Sequence, residues 1–306
     1  MQQTYIHEVV ARDGLQIEPQ FVPTEQKVEL IDALSETGLA KIEVTSFVSP
    51  KAVPNLRDAE TVMASISRNP LVKYVALIAN PKGAERAIAA RADEVNFVVS
   101  VSETHNRANV RRSTDASFEG LSEIVRELER TGIAVTGALS TAFGCPFEGE
   151  QASGRVMQFV GRYVELGVRS VTLADTTGMG HPKLVLDLCT EVRERWPELE
   201  LALHFHNTRG MGLANVLSGL ATGVQHYEAC LGGLGGCPFA PGATGNICTE
   251  DLVHMLECMG YTTGVDLDKL LAVSRRLGAI VSHDLPGQLV KAGKATDLHP
   301  IPGGLH

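Results

Sequence analysis

The chain has 306 residues, 44% of them hydrophobic and 21% charged, with 36 acidic against 27 basic residues and a formal net charge of −9. That composition fits a globular protein with a sizeable core, and no apolar run reaches the roughly 18 residues of a membrane span. No basic run marks nucleic acid as a partner, and the six cysteines are scattered without a C-x-x-C pair, which suggests neither a zinc knuckle nor a disulfide scaffold.

The N-terminus, "MQQTYIHEVV", enters a strand-like segment almost at once, with neither a secretory nor a transit pattern, so the expected location is cytoplasmic. The first strand is expected over residues 5–10. "PTEQKVELIDALSETG" then reads as a helix, with Thr24 as N-cap, Gly38 as the C-terminal stop, and Val28, Leu30, Ile31 and Leu34 as its apolar face. "AKIEVTSF" is the second strand and residues 55–68 a helix; "VKYVALI" is the third strand, and "PKGAERAIAARA" a helix opened by Pro81. "EVNFVVSVS" is followed by a helix over 115–131, "IAVTGALS" by one over 153–166, "VRSVTLAD" by one over 182–196, and "ELALHFH" by one over 211–222. "HYEACL" leads through a glycine-rich loop to "CTEDLVHMLECMG", and residues 266–282 form an extra helix before a Gly/Pro/His-rich tail.

Eight strand–helix units in this length are what an α/β protein of the (β/α)8 TIM-barrel class requires. A doubly wound sheet would carry a glycine-rich dinucleotide loop after its first strand, and here that position reads "ARDGLQ". One domain is expected over residues 1–306, with the barrel at about 5–260 and the extra C-terminal helix and tail at about 264–306.

Chemistry in such a barrel gathers at the C-terminal ends of the strands, and polar residues collect there. Arg12 and Asp13 follow strand one. Glu43 lies on strand two, which leads into Thr45 and Ser46. Strand six ends in Asp175 and Thr176, and strand seven in His204, His206 and Asn207. Residues two apart on a strand point the same way, so His204 and His206 both face the barrel mouth. Two neutral nitrogens with a carboxylate from Asp13 and an amide oxygen from Asn246 suit a divalent cation such as Mg²⁺ or Mn²⁺. His7, His105, His226, His254 and His283 read as surface or packing residues. The loop over residues 232–245 holds six glycines but neither the Walker lysine nor the Rossmann spacing, and reads as a lid. Cys237 in that lid, between Gly236 and Pro238, is a candidate acid/base.

The segments "EVVARDGLQ", "IEVTSFVSPKAVP", "FGCPFEG", "HFHNTRG", "GLGGCPFAPGATGN" and "TEDLVHMLE" resemble the 3-hydroxy-3-methylglutaryl-CoA (HMG-CoA) lyases of the DRE-TIM metallolyase superfamily, over about Ile6 to Gly264. The resemblance implies a divalent cation held by Asp13, His204, His206 and Asn246. It also implies catalytic roles for Arg12 and Cys237, with Glu43 ordering the metal shell. Gln16, Ser46, Asp175 and Thr176 match positions of the family's substrate pocket. The implied reaction cleaves HMG-CoA to acetyl-CoA and acetoacetate, as in leucine degradation and ketone-body formation. In it Asp13 or His204 takes the hydroxyl proton, Arg12 stabilises the enolate oxygen and Cys237 protonates the enolate carbon. A small-molecule acyl-CoA partner and a homodimer are implied as well.

The lyases more often read H-x-H-D-T-Y-G where this chain reads "HFHNTRG". Asparagine at that position is familiar in the condensing branch of the superfamily, the isopropylmalate and homocitrate synthases, but those lack the cysteine loop. Arg209 in place of tyrosine changes charge near the mouth, which keeps open a lyase for a related 3-hydroxyacyl-CoA with a different 3-substituent. A non-catalytic barrel would be expected to have lost Arg12, Asp13 or Cys237, and all three are present.

Overall fold

The computed structural model describes residues 2–236, 245–298 and 300. Eight parallel strands close on themselves in sequence order, with β1 (Tyr5–Glu8) paired to both β2 (Lys41–Ser46) and β8 (His226–Ala229). Between them lie β3 (Lys73–Ile78), β4 (Glu94–Ser100), β5 (Ala134–Ser140), β6 (Ser170–Asp175) and β7 (Glu200–Phe205). Closure distinguishes the barrel from the doubly wound alternative, because no strand is left at an edge.

The helices are α1 (Thr24–Ser35), α2 (Ala59–Ser65), α3 (Pro81–Ala89), α4 (Glu103–Val110), α5 (Thr114–Glu129) and α6 (Ser153–Glu165). They continue with α7 (Pro182–Arg195), α8 (Gly212–Ala221), α9 (Thr249–Cys258), α10 (Leu267–Val281) and the short α11 (Leu289–Ala292). Their apolar stripes pack on the outer side of the strands. On α6, for example, Val156, Met157, Val160 and Tyr163 are fully buried, each such side chain contributing about 1.5–3 kcal/mol of transfer free energy. The Tyr163 hydroxyl donates to the Phe97 carbonyl at 2.9 Å. Its ring lies so close to Gly137 that a Cβ there would come within 2.6 Å of it. The extra C-terminal helix is α10, whose N-terminus is capped by Asp266 accepting from the Lys269 amide at 3.1 Å.

Local chemistry moves several expected boundaries. The first strand stops at Glu8 rather than at residue 10, because the chain turns at once into a π-helical turn, Val10–Gly14. The amides of Arg12, Asp13 and Gly14 all converge on the Val9 carbonyl, while Glu8 accepts from the Val10 and Leu231 amides. Gly14 permits this turn, since a Cβ there would lie 2.9 Å from the Cys230 sulfur. Thr24 is the first residue of α1 instead of its N-cap, which is Pro23, and its hydroxyl donates to Asp58. The helix expected over 55–68 is a 3-10 turn, Pro54–Leu56, followed by α2. The polar stretch after β4 forms α4, capped by Ser102 accepting from the His105 amide at 3.0 Å.

TIM barrels are usually filled by layers of branched apolar side chains. This barrel interior is polar along much of its axis, with Lys41, Glu43, Glu94, Asn96, Thr136, Thr172 and Glu228 all buried in it. Among the described residues no helix is long and apolar enough to cross a membrane.

Candidate active site

A cavity of about 500 Å³ opens at the C-terminal ends of the strands. Its floor is built by Arg12, Asp13, Gln16, Glu43, Ser46, Asn96, Thr172, His204, His206 and Glu228. The turn after β1 delivers Arg12 and Asp13 side by side, and β7 delivers the two imidazoles.

Asp13, His204 and His206 each offer a donor atom within 4.8 Å of the others, and all three are buried. Asn246 pairs with His206 across an isolated bridge and is buried too. Its amide nitrogen donates to Asp13 Oδ2 at 2.7 Å and to the Leu234 carbonyl at 2.9 Å. That fixes the amide orientation and leaves Asn246 Oδ1 without a hydrogen-bond partner among the described residues. His206 Nδ1 and Ser46 Oγ are likewise buried and unpartnered. Buried polar atoms are ordinarily satisfied, and an exception calls for a ligand, an ion or water. A carboxylate, two imidazoles and a free amide oxygen therefore fit a divalent cation, the chemistry the sequence suggested for these four residues.

Two carboxylates brace this set from below. Glu43 accepts from Arg12 Nε and from Asn96 Nδ2. Glu228 accepts from Thr172 Oγ1 at 2.9 Å and bonds His204 Nδ1 at 2.9 Å. Arg12 also donates from Nη1 to Asp13 Oδ1 at 2.6 Å, where Gln16 Nε2 donates as well at 3.0 Å. Burial alone would raise the Asp13 carboxyl, but Arg12 and the two imidazoles outweigh it and hold that group well below the usual carboxylate range. Burial likewise opposes charge on His204, yet Glu228 raises its pKa above the ordinary histidine value.

The other expected residues divide. Gln16, Ser46 and Thr176 line the cavity, Thr176 while accepting from the Thr141 amide at 2.9 Å. Asp175 is fully buried with its carboxylate turned to the amides of Met179 and Gly180, at 2.8 and 3.0 Å. Cys237 lies outside the described residues, as does most of the glycine-rich loop. At the described ends of that loop, Glu8 accepts from the Leu231 amide and the Thr249 hydroxyl, and Glu250 from the Gly232 amide.

The unusual "NTR" is local structure. Asn207 Oδ1 accepts from the Gly212 amide at 3.0 Å, at the start of α8. Arg209 donates to the carbonyls of Thr177 and Gly178, both at 2.9 Å, and does not line the cavity.

Sequence reasoning passes over Asn96, Thr172 and Glu228, whose one signal is a polar residue inside an apolar strand run. It passes over Lys51, Arg111 and Arg112, exposed cations that line the outer part of the cavity from the loops after β2 and β4. His105, expected as a surface or packing residue, is buried and lines the cavity, with Nδ1 2.7 Å from Ser100 Oγ. Burial pushes its pKa down to about 4, so its ring is neutral at pH 7.

A family model described as HMGL-like matches residues 3–277. Over 291 residues the chain is 40% identical to a hydroxymethylglutaryl-CoA lyase of Bacillus subtilis, covering 95% of this chain and 97% of that one. It is 39% identical over 303 residues to the (R)-citramalyl-CoA lyase of Chloroflexus aurantiacus, covering 96% of each. A solved structure of an HMG-CoA lyase from Acinetobacter baumannii, in complex with coenzyme A and 3-methylmalate, is similar over 98% of both chains, at 53% identity and a TM-score of 0.95.

Proposed function

The chain belongs to the HMGL-like family, and on that premise we propose that it is a divalent-metal-dependent carbon–carbon lyase that cleaves HMG-CoA to acetyl-CoA and acetoacetate. The observation that carries this reading is the convergence of Asp13, His204 and His206 with an otherwise unpartnered amide oxygen of Asn246 beneath an acyl-sized cavity. A Mg²⁺ or Mn²⁺ ion held by those four residues would supply Lewis acidity and a template for the substrate's carboxylate and tertiary hydroxyl.

The chain's own residues account for the remaining demands of the reaction. The hydroxyl proton must leave, to Asp13 or, in a form with its Nε2 off the cation, to His204. The C2–C3 bond then breaks, C3 becoming the ketone of acetoacetate and the bonding pair passing to C2 as the thioester enolate. Arg12, its guanidinium aligned by Glu43 and Asp13, presents a rigid fork of donors to the enolate oxygen. Cys237 donates the proton that C2 requires. Gln16, Ser46 and Thr176 hold the acyl group, and Asp175 shapes the loop after β6 through the two amides it accepts. Lys51, Arg111 and Arg112 give an otherwise acidic protein the local positive charge that CoA phosphates need. The homodimer is part of the same proposal, carried by the family resemblance.

The (R)-citramalyl-CoA lyase relative keeps a second acyl group in view. A panel of acyl-CoA substrates, with acetyl-CoA release measured, tests the assignment. HMG-CoA is expected to give the highest kcat/KM, and a clear preference for citramalyl-CoA or a longer 3-substituent would reassign the substrate within the same chemistry.

A further inference from the structure

His204 and Glu228 are register partners on the adjacent strands β7 and β8, so their side chains enter the barrel together. Both are buried, and His204 Nδ1 lies 2.9 Å from Glu228 Oε2. The second carboxylate oxygen, Oε1, is occupied by the Thr172 hydroxyl, which donates to it from β6 at 2.9 Å. An ionised carboxylate only accepts hydrogen bonds. Nδ1 must therefore carry the proton, which leaves the lone pair of His204 on Nε2. The neighbouring imidazole has no such brace among the described residues, for there His206 Nδ1 is buried without a partner and its Nε2 stands 3.5 Å from Asp13 Oδ2. The two rings that look equivalent in "HFH" thus differ, one having its tautomer set from beneath and the other not.

We propose that Glu228 is a positioning residue of the metal site: held by Thr172, it takes the Nδ1 proton of His204 as a hydrogen bond and commits that ring to present Nε2 to the cation. The assignment rests on the metal-dependent reading above. Glu228 also shares the floor with Glu43, which braces Arg12 from Asn96 in the same manner. Each chain runs from a neutral donor on an inner strand, through a carboxylate, to a group that works at the cavity. The carboxylate strengthens the imidazole as a donor to the metal, and the fixed orientation removes the cost of choosing a tautomer on binding.

The test uses the full-length chain, with Glu228→Leu and Glu228→Gln. Histidine-selective ¹⁵N labelling and long-range ¹H–¹⁵N correlation of the metal-free protein, at a pH high enough that the ring is neutral, report the tautomer of His204, assigned by comparison with His204→Asn. The Nδ1–H form is expected in the wild type and in Glu228→Gln, whose amide oxygen still accepts, and a mixture in Glu228→Leu. Mn²⁺ titrations followed by electron paramagnetic resonance are expected to show affinity about 10- to 100-fold weaker in Glu228→Leu, with a smaller loss in Glu228→Gln. A purely structural role would lower the melting temperature and leave tautomer and Mn²⁺ affinity unchanged, and that result overturns the assignment. Should Glu228→Leu fail to fold, Glu228→Gln decides, and a Mn²⁺ dissociation constant equal to the wild-type value overturns it. A wild-type chain that binds no Mn²⁺ would overturn both this assignment and the metal reading, whereas Mn²⁺ binding indifferent to Glu228 overturns this one alone.

Discussion

The two ends of the barrel interior are both polar, and they are built differently. At the N-terminal end, Lys41 Nζ reaches Glu94 Oε1 at 2.9 Å and Glu200 Oε1 at 3.3 Å. The hydroxyls of Thr136 and Ser170 donate to those same two carboxylates, and His7 Nε2 meets His226 Nδ1 at 3.2 Å. None of these side chains is among the buried groups left without a partner. At the C-terminal end, Asn246 Oδ1, His206 Nδ1 and Ser46 Oγ are left over among the described residues. A polar cluster that closes on itself is part of the scaffold. One with unmet atoms beside a cavity is prepared for something that binds there.

Breaking the closed cluster should cost stability and nothing else. Lys41→Met removes the buried ammonium from Glu94 and Glu200 and is expected to lower unfolding stability by up to about 3–5 kcal/mol, read by urea denaturation, while Mn²⁺ affinity stays at the wild-type value. An unchanged urea midpoint would show that the N-terminal network is not a structural plug. Breaking the open cluster should do the reverse. Arg12→Gln is expected to lose about 10²- to 10³-fold in kcat with Mn²⁺ binding retained, and near-normal acetyl-CoA release would remove Arg12 from the chemistry.

A third variant sharpens the boundary between the two ends through pH. His105 has a folded pKa of about 4, against about 6.5 for a histidine in the unfolded chain. Between those values the unfolded chain binds the extra proton. Stability therefore falls as pH drops through that window, by at most about 3 kcal/mol from this residue. His105→Phe should flatten that part of the urea-stability profile between pH 7 and pH 4.5, and a profile parallel to the wild type would refute the buried neutral ring. The smallest effect is expected from Arg209→Tyr. Its two carbonyl contacts lie outside both clusters and are worth about 1 kcal/mol or less, and the ranking of acyl-CoA substrates should not change. A switch in that ranking would return Arg209 to the substrate site.

Much of this architecture is legible in the chain. Eight alternations of β-rich and amphipathic segments suffice for a barrel, because each strand's run of apolar residues and each helix's stripe must bury against the other. Asp13, His204 and His206 stand out since they fall where strands end, and Asn246 since it closes the glycine-rich loop after the last strand. Glu228, Thr172 and Asn96 do not, because their meaning depends on register. Only the pairing of β7 with β8 makes His204 and Glu228 neighbours, and no local pattern states it. For the same reason Lys41 and Glu43 look alike on "KIEV", although one belongs to the closed cluster and the other to the cavity floor. Arg209 reads in the sequence as a charge at the mouth because the carbonyls that hold it come from a different loop, some thirty residues earlier.

The central claim is that the open cluster holds a catalytic divalent cation. It is tested most directly by acetyl-CoA release from HMG-CoA before chelation, after exhaustive chelation, and after Mn²⁺ is returned. Turnover should fall to background in chelator and recover with Mn²⁺, and His206→Ala should need far more Mn²⁺ to reach the same rate. Undiminished turnover in the chelated wild type, or an unchanged Mn²⁺ requirement in His206→Ala, would contradict it.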